Sequence, residues 1–200
     1  MKARVFSAFI KGVDEKPVPS VWGEKLPFNT VCADYGASLG WIHSIKFSPS
    51  GNGVAWVSHD STLNISYPGE NYFFCLKNSC LPFTCLLWIS ETSIVAAGHD
   101  SAPFLFSKVG SEWKLVEKID QGAKKSNESS GTALNMFKQM DSRGQATSND
   151  VVLDTCHQNS INCLVCVESK GGVVSKFSST GVDGKLVIWD AASFSNLRIK

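Results

Sequence analysis

Apolar residues in this chain fall mostly into short runs and alternations, broken by Gly, Asp, Ser and Asn. Three stretches line up with one another. In the first, residues 42–48 (Ile-His-Ser-Ile-Lys-Phe-Ser) are followed by 54–58 (Val-Ala-Trp-Val-Ser), the pair His59-Asp60, and 61–66. In the second, residues 83–89 precede 94–98 (Ile-Val-Ala-Ala-Gly), His99-Asp100, and 101–107. In the third, residues 161–167 precede 174–180, then Val182-Asp183-Gly184, and Lys185-Leu-Val-Ile-Trp-Asp190. Runs of this length, rich in β-branched and aromatic residues and bounded by turn formers such as Pro49, Gly51, Gly171 and Gly184, predict strands rather than helices.

The spacing organises these strands into repeats. Asp60 and Asp100 are 40 residues apart, and Asp100 and Asp183 are 83 apart, one such period plus a large insertion. Each unit reads as strand, turn, strand, tight Asp-containing turn, strand, with further strands expected in 71–77 and 113–119. A unit of this period ending in Ile188-Trp189-Asp190 has the pattern of a WD40 propeller blade. The expected fold is therefore all-β, a partial WD40 β-propeller. Residues 1–40 are expected to hold the end of a truncated blade and a Pro-rich loop, 41–80 and 81–120 a blade each, 121–155 an inserted loop, and 156–200 the last blade and a tail. Asp60, Asp100 and Asp183 then take structural turn positions, where a carboxylate can accept nearby backbone N–H groups.

One segment breaks the strand pattern with a different period. Within the Ser-, Asn-, Gly- and Lys-rich loop, Ala133, Met136, Phe137 and Met140 stand at i, i+3, i+4 and i+7, one stripe of an amphipathic helix. Thr132 is placed to cap it and Gly144 to stop it. Such anchors suit recognition of a helix by a groove on a partner, and they suit equally a helix folded back on its own propeller. Burial of Phe137 and the two Met side chains would yield roughly 1.5–3 kcal/mol each.

Composition narrows the chemistry. A net charge of +1 gives no bulk attraction to nucleic acid or anionic membrane. Within 121–150, Lys124, Lys125, Lys138 and Arg143 are offset by Glu128, Asp141 and Asp150, so no basic patch forms. No apolar run is long enough to span a bilayer, and the start, Met1-Lys-Ala-Arg-Val-Phe, lacks a signal-peptide core. The chain reads as cytosolic. Its seven cysteines have no framework spacing and read as small apolar fillers. Cys163 and Cys166 match C-x-x-C but lie in a strand, where alternation sends them to opposite faces. The His59-Asp60 and His99-Asp100 pairs invite a catalytic reading, but neighbours on a strand diverge, the third repeat has Val182 instead of His, and no nucleophile motif accompanies them. No enzyme activity, cofactor or metal is expected.

Several motifs carry a family resemblance: Met1-Lys-Ala-Arg-Val-Phe-Ser-Ala-Phe-Ile-Lys, Pro27-Phe28, Val54-Ala-Trp-Val-Ser-His-Asp-Ser-Thr, Val95-Ala-Ala-Gly-His-Asp, the 132–141 segment, His157-Gln-Asn-Ser-Ile, Thr180-Gly-Val-Asp-Gly and Leu197-Arg-Ile-Lys. Together they resemble the C-terminal half of the WD-repeat subunit 1 family of the actin-related protein 2/3 complex. The resemblance implies about three and a half blades of a seven-bladed fold, beginning at the third strand of a fourth blade. It implies a non-catalytic scaffold of a complex that nucleates and branches actin filaments, in the cytoplasm at the actin cytoskeleton. The implied partners are actin-related proteins, the complex's other subunits and the actin filament, with the 133–140 stripe as a partner contact. Two alternatives stay open: a WD-repeat adaptor of another complex, such as a ubiquitin-ligase substrate receptor, and a fragment without function.

Overall fold

A computed structural model describes residues 2–15, 18–36, 40–69, 73–120 and 153–194. These form four antiparallel sheets in chain order. The first holds β1 (Lys2–Phe6) and β2 (Val31–Gly36). The second runs β3 (Ile42–Phe47), β4 (Val54–Ser58), β5 (Thr62–Ser66) and β6 (Phe74–Lys77), each strand hydrogen-bonded to the next. The third repeats that order with β7 (Phe83–Ser90), β8 (Ser93–Gly98), β9 (Pro103–Val109) and β10 (Glu112–Lys118). The fourth has β11 (Ile161–Lys170), β12 (Val173–Gly181) and β13 (Leu186–Asp190), followed by a single 3-10 turn at Ala191–Ser193. The innermost strands β3, β7 and β11 lie beside one another. This is a partial, open propeller, as the repeat predicts. Strands expected in 71–77 and 113–119 are β6 and β10. The amphipathic stripe Ala133, Met136, Phe137 and Met140 lies outside the described residues.

Strand periodicity explains why the chain stacks sheets. In the third sheet, Leu86, Trp88, Ile94, Ala96, Phe104 and Phe106 point one way, into a core shared with Ala55, Val57, Leu63 and Ile65 of the second sheet. Their neighbours Cys85, Val95, Ala97 and Leu105 point the other way, against Ile161, Leu164, Val174 and Phe177 of the fourth. A sheet buried on both faces needs continuous apolar strands, and β8 is buried at every position. The second sheet divides likewise. Ala55 and Val57 face the third sheet, and Val54 and Trp56 meet Ala3 of the first. Phe83 packs edge-on to both Phe104 and Phe106, the favoured aromatic geometry.

The outer sheets behave differently. In β13, Leu186 and Ile188 are exposed while Val187 and Trp189 are partly covered. Val165 and Val167 of β11 are exposed too, and Val165 pairs through Ser178 to Ile188. Val165, Leu186 and Ile188 share one face of the last sheet, interleaved with Ser178 and Thr180 of β12. Cys163, Leu164, Val165 and Cys166 pair consecutively with Thr180, Ser179, Ser178 and Phe177, so the two cysteines do lie on opposite faces.

Candidate functional site

The three turn aspartates occupy equivalent places, between β4 and β5, β8 and β9, and β12 and β13. All sit on the rim where the innermost strands begin. Asp60 accepts a bond from Thr62 Oγ1 at 2.7 Å, and Thr62 Oγ1 in turn accepts from Asn64 Nδ2. Asp100 accepts the Leu81 N–H at 2.8 Å, tying its turn to the segment entering β7. Ser61 and Ser101, which follow these two aspartates, adopt left-handed backbone with φ of 63° and 58°, as tight turns demand.

Asp183 is the centre of a larger network. Its Oδ2 accepts the Gln158 N–H at 2.8 Å and its Oδ1 the Lys185 N–H at 3.2 Å. His157, fully buried, places Nδ1 3.1 Å from Asp183 Oδ1 and Nε2 2.8 Å from Ser179 Oγ. Ser179 Oγ also accepts the indole N–H of Trp189 at 2.8 Å. One continuous path thus joins the loop before β11 to three parts of the blade: the Asp183 turn, β12 and β13. Burial pushes the Asp183 carboxyl up, but bonds from the Gln158 N–H, His157 and the Lys185 N–H outweigh it and hold the carboxyl down at about 2. A buried polar chain with every member engaged fixes a unique arrangement of its sheet.

Sequence reasoning placed Asp183 but missed His157, Ser179 and Trp189 as its partners. The signal was spacing. Ser179 lies four residues before Asp183, Trp189 six after it, and His157 four before β11. The corresponding positions are Ala96 and Phe106 in the second repeat and Trp56 and Ser66 in the first. Comparing the repeats with one another therefore hid a feature carried by the last one alone.

The His-Asp dipeptides do not act as pairs. The His59 ring turns to His43, with His43 Nε2 3.0 Å from His59 Nδ1. His99 Nδ1 instead lies 2.8 Å from Ser160 Oγ in the loop that enters β11. An open pocket beside this row is lined by Gly40, Trp41, His59 and Asp60. The imidazoles and turn carboxylates bond to groups of the blades themselves. Among the described residues, no group of three or more His, Cys, Asp or Glu has an arrangement that could hold a metal ion. Also among them, no helix is long and apolar enough to cross a membrane.

Cysteine environments divide by burial. Cys85 is buried between sheets and its thiol is pushed up to about 12 by that burial. Cys80 is likewise raised by burial, to about 11. Cys163 and Cys166 are exposed and free.

No family model matches the chain. Curated relatives do. The "Actin-related protein 2/3 complex subunit 1A-B" of Xenopus laevis is 42% identical over 194 residues, covering 94% of this chain and 52% of the relative. The "Actin-related protein 2/3 complex subunit 1" of Schizosaccharomyces pombe is 40% identical over 209 residues, 94% of this chain and 55% of the relative. The protein of that same name from Saccharomyces cerevisiae is 30% identical over 208 residues, 93% and 53% respectively. The chain spans about half the length of these relatives. Over nearly its whole length, then, it is related to subunit 1 of the actin-related protein 2/3 complex.

Proposed function

We propose that this chain serves as a non-catalytic scaffold part of an actin-related protein 2/3 complex, acting in the cytoplasm at the actin cytoskeleton. The observation that carries the reading is 42% identity across 94% of the chain to a relative named as subunit 1 of that complex. Its role is to support filament nucleation and branching through contacts with the complex's other subunits, the actin-related proteins among them. The segment holding Ala133, Met136, Phe137 and Met140 adds a contact toward a partner or the filament. Asp60, Asp100 and Asp183 serve the scaffold by holding the rim turns.

Physical features support an architectural role over a catalytic one. The strongest polar network, around Asp183, is spent on joining parts of one sheet. The last sheet presents Val165, Leu186 and Ile188 on one face. Apolar faces of that kind are covered by another sheet or another chain. A tagged pull-down of the 200-residue chain from cytosol tests the reading. Co-purification of the actin-related subunits is the expected result. A soluble, folded chain that recovers none of them would defeat it.

A further inference from the structure

The inner strands share an irregularity that the repeats place at one position. Each contains a β-bulge after its first residue: Ile42 and Ser44 pair with consecutive partners, as do Phe83 and Cys85, and Ile161 and Cys163. The extra residues are His43, Thr84 and Asn162. A bulge frees its residue from the ladder and re-aims its side chain. Thr84 uses this freedom to donate its hydroxyl to Ile161 O of the next sheet. His43 uses it to reach His59.

The result is a row of three imidazoles along the rim. His43 and His59 are hydrogen-bonded at 3.0 Å, with ring centroids 5.2 Å apart. His59 stands edge-on to His99 at 6.4 Å, and Trp41 lies against His59 at 5.9 Å. His99 reaches Ser160, so the row links the second and third sheets to the loop that enters β11. The flanking charged groups are Asp60 and Asp100, next to His59 and His99 in their turns, with carboxylates bonded to Thr62 Oγ1 and the Leu81 N–H, and Lys77 of β6, whose ammonium donates to Asp60 O at 2.8 Å. From the loop that enters β11 the neighbour is the Ser160 hydroxyl, which does not titrate.

A neutral imidazole has one N–H and one acceptor nitrogen, and a cationic one has two N–H donors. The His43–His59 bond needs one donor and one acceptor, so it survives with no extra proton or with one. With both rings cationic, two donors face each other at bonding distance and the contact becomes repulsive. We propose that His43 and His59 form a proton-operated latch on the propeller rim, closed by a shared hydrogen bond and opened when both become cationic. His99 adds a third charge that favours opening. His43 is exposed and sits at a bulge with no partner in the ladder register, so its ring can leave His59 without breaking a strand pairing, and His59 itself lines the pocket beside Trp41. Partial desolvation, followed by the charges of His59 and His99, lowers the pKa of the largely exposed His43.

The test is nitrogen-15 histidine NMR on the full chain between pH 8 and pH 5. A scalar coupling across the His43–His59 hydrogen bond is expected at pH 8 and should vanish at pH 5. His43 should titrate below an ordinary histidine while His59 is present. In His59→Asn, His43 should titrate in one step at higher pH. Should that variant fail to fold, His59→Gln read at His43 gives the same comparison. No coupling at pH 8, or an unmoved midpoint for the remaining ring, overturns the latch.

Discussion

Ser179 shows how much can rest on one small side chain. Its hydroxyl is fully buried and serves two other buried groups, the Trp189 indole N–H and His157 Nε2. Ser179→Ala leaves both without that partner, and an orphaned buried polar group costs about 1–3 kcal/mol. The urea midpoint should fall with an unchanged slope. An unmoved midpoint would show the network to be dispensable. Asp183 adds a pH dependence of definite sign. Its folded carboxyl is held at about 2, below the ordinary 3.8, so the unfolded chain binds more protons in that interval. Its stabilisation is complete above the ordinary value and is lost as pH falls through about 2. Asp183→Asn should flatten the decline in stability between those values, and a parallel decline would exclude this carboxylate as its source. The thiols make a third test. Cys85 is pushed up to about 12 by burial while Cys163 and Cys166 are exposed, so brief alkylation of the native chain should label the latter pair and spare Cys85. Mass spectrometry showing equal labelling would contradict the placement of Cys85 between sheets.

At the scale of elements, the legible part of the fold was whatever depends on alternation and turn chemistry. Continuous apolar runs such as 94–98 marked strands buried on both faces, and the Asp-containing turns marked where they reverse. The bulges were not legible, because nothing in Ile42-His43-Ser44 distinguishes a regular strand start from one with an extra residue. Nor was the partner set of Asp183, since His157 is distant in sequence and the repeats differ there. Gly98 marks the geometric demand that a bulge makes on its neighbour. A Cβ built there would sit 2.2 Å from Pro82 O and 2.7 Å from Phe83 Cα, both backbone atoms. Gly98→Ala must therefore push β7 away from β8, at a cost on the order of 1–3 kcal/mol. The melting midpoint should drop by several degrees, and an unchanged one would mean that the two strands have room to separate.

The third sheet joins two interlocking cores and gives one set of side chains to each, while the second sheet meets the first through a further cluster around Trp56. Such an assembly offers partners broad faces and rim turns rather than a single deep cleft, so any one contact is weak until others hold it in place. The segment with Met136, Phe137 and Met140 illustrates the arithmetic. Three apolar side chains contribute roughly 1.5–3 kcal/mol each on burial, and ordering a backbone costs about 1–2 kcal/mol per residue. An isolated peptide of residues 131–144 should therefore bind an actin-related partner too weakly to detect in a micromolar titration. Tethered within an assembled complex, the same segment gains from effective concentration. Phe137→Asp with Met140→Asp should leave the thermal midpoint of the chain unchanged and lower branching by the complex that carries it. Branching is counted by fluorescence microscopy of filaments grown with the wild-type or the doubly substituted complex. Equal branch densities at equal complex incorporation would remove the segment from the contact surface, while leaving the scaffold role to the sheets and their rim.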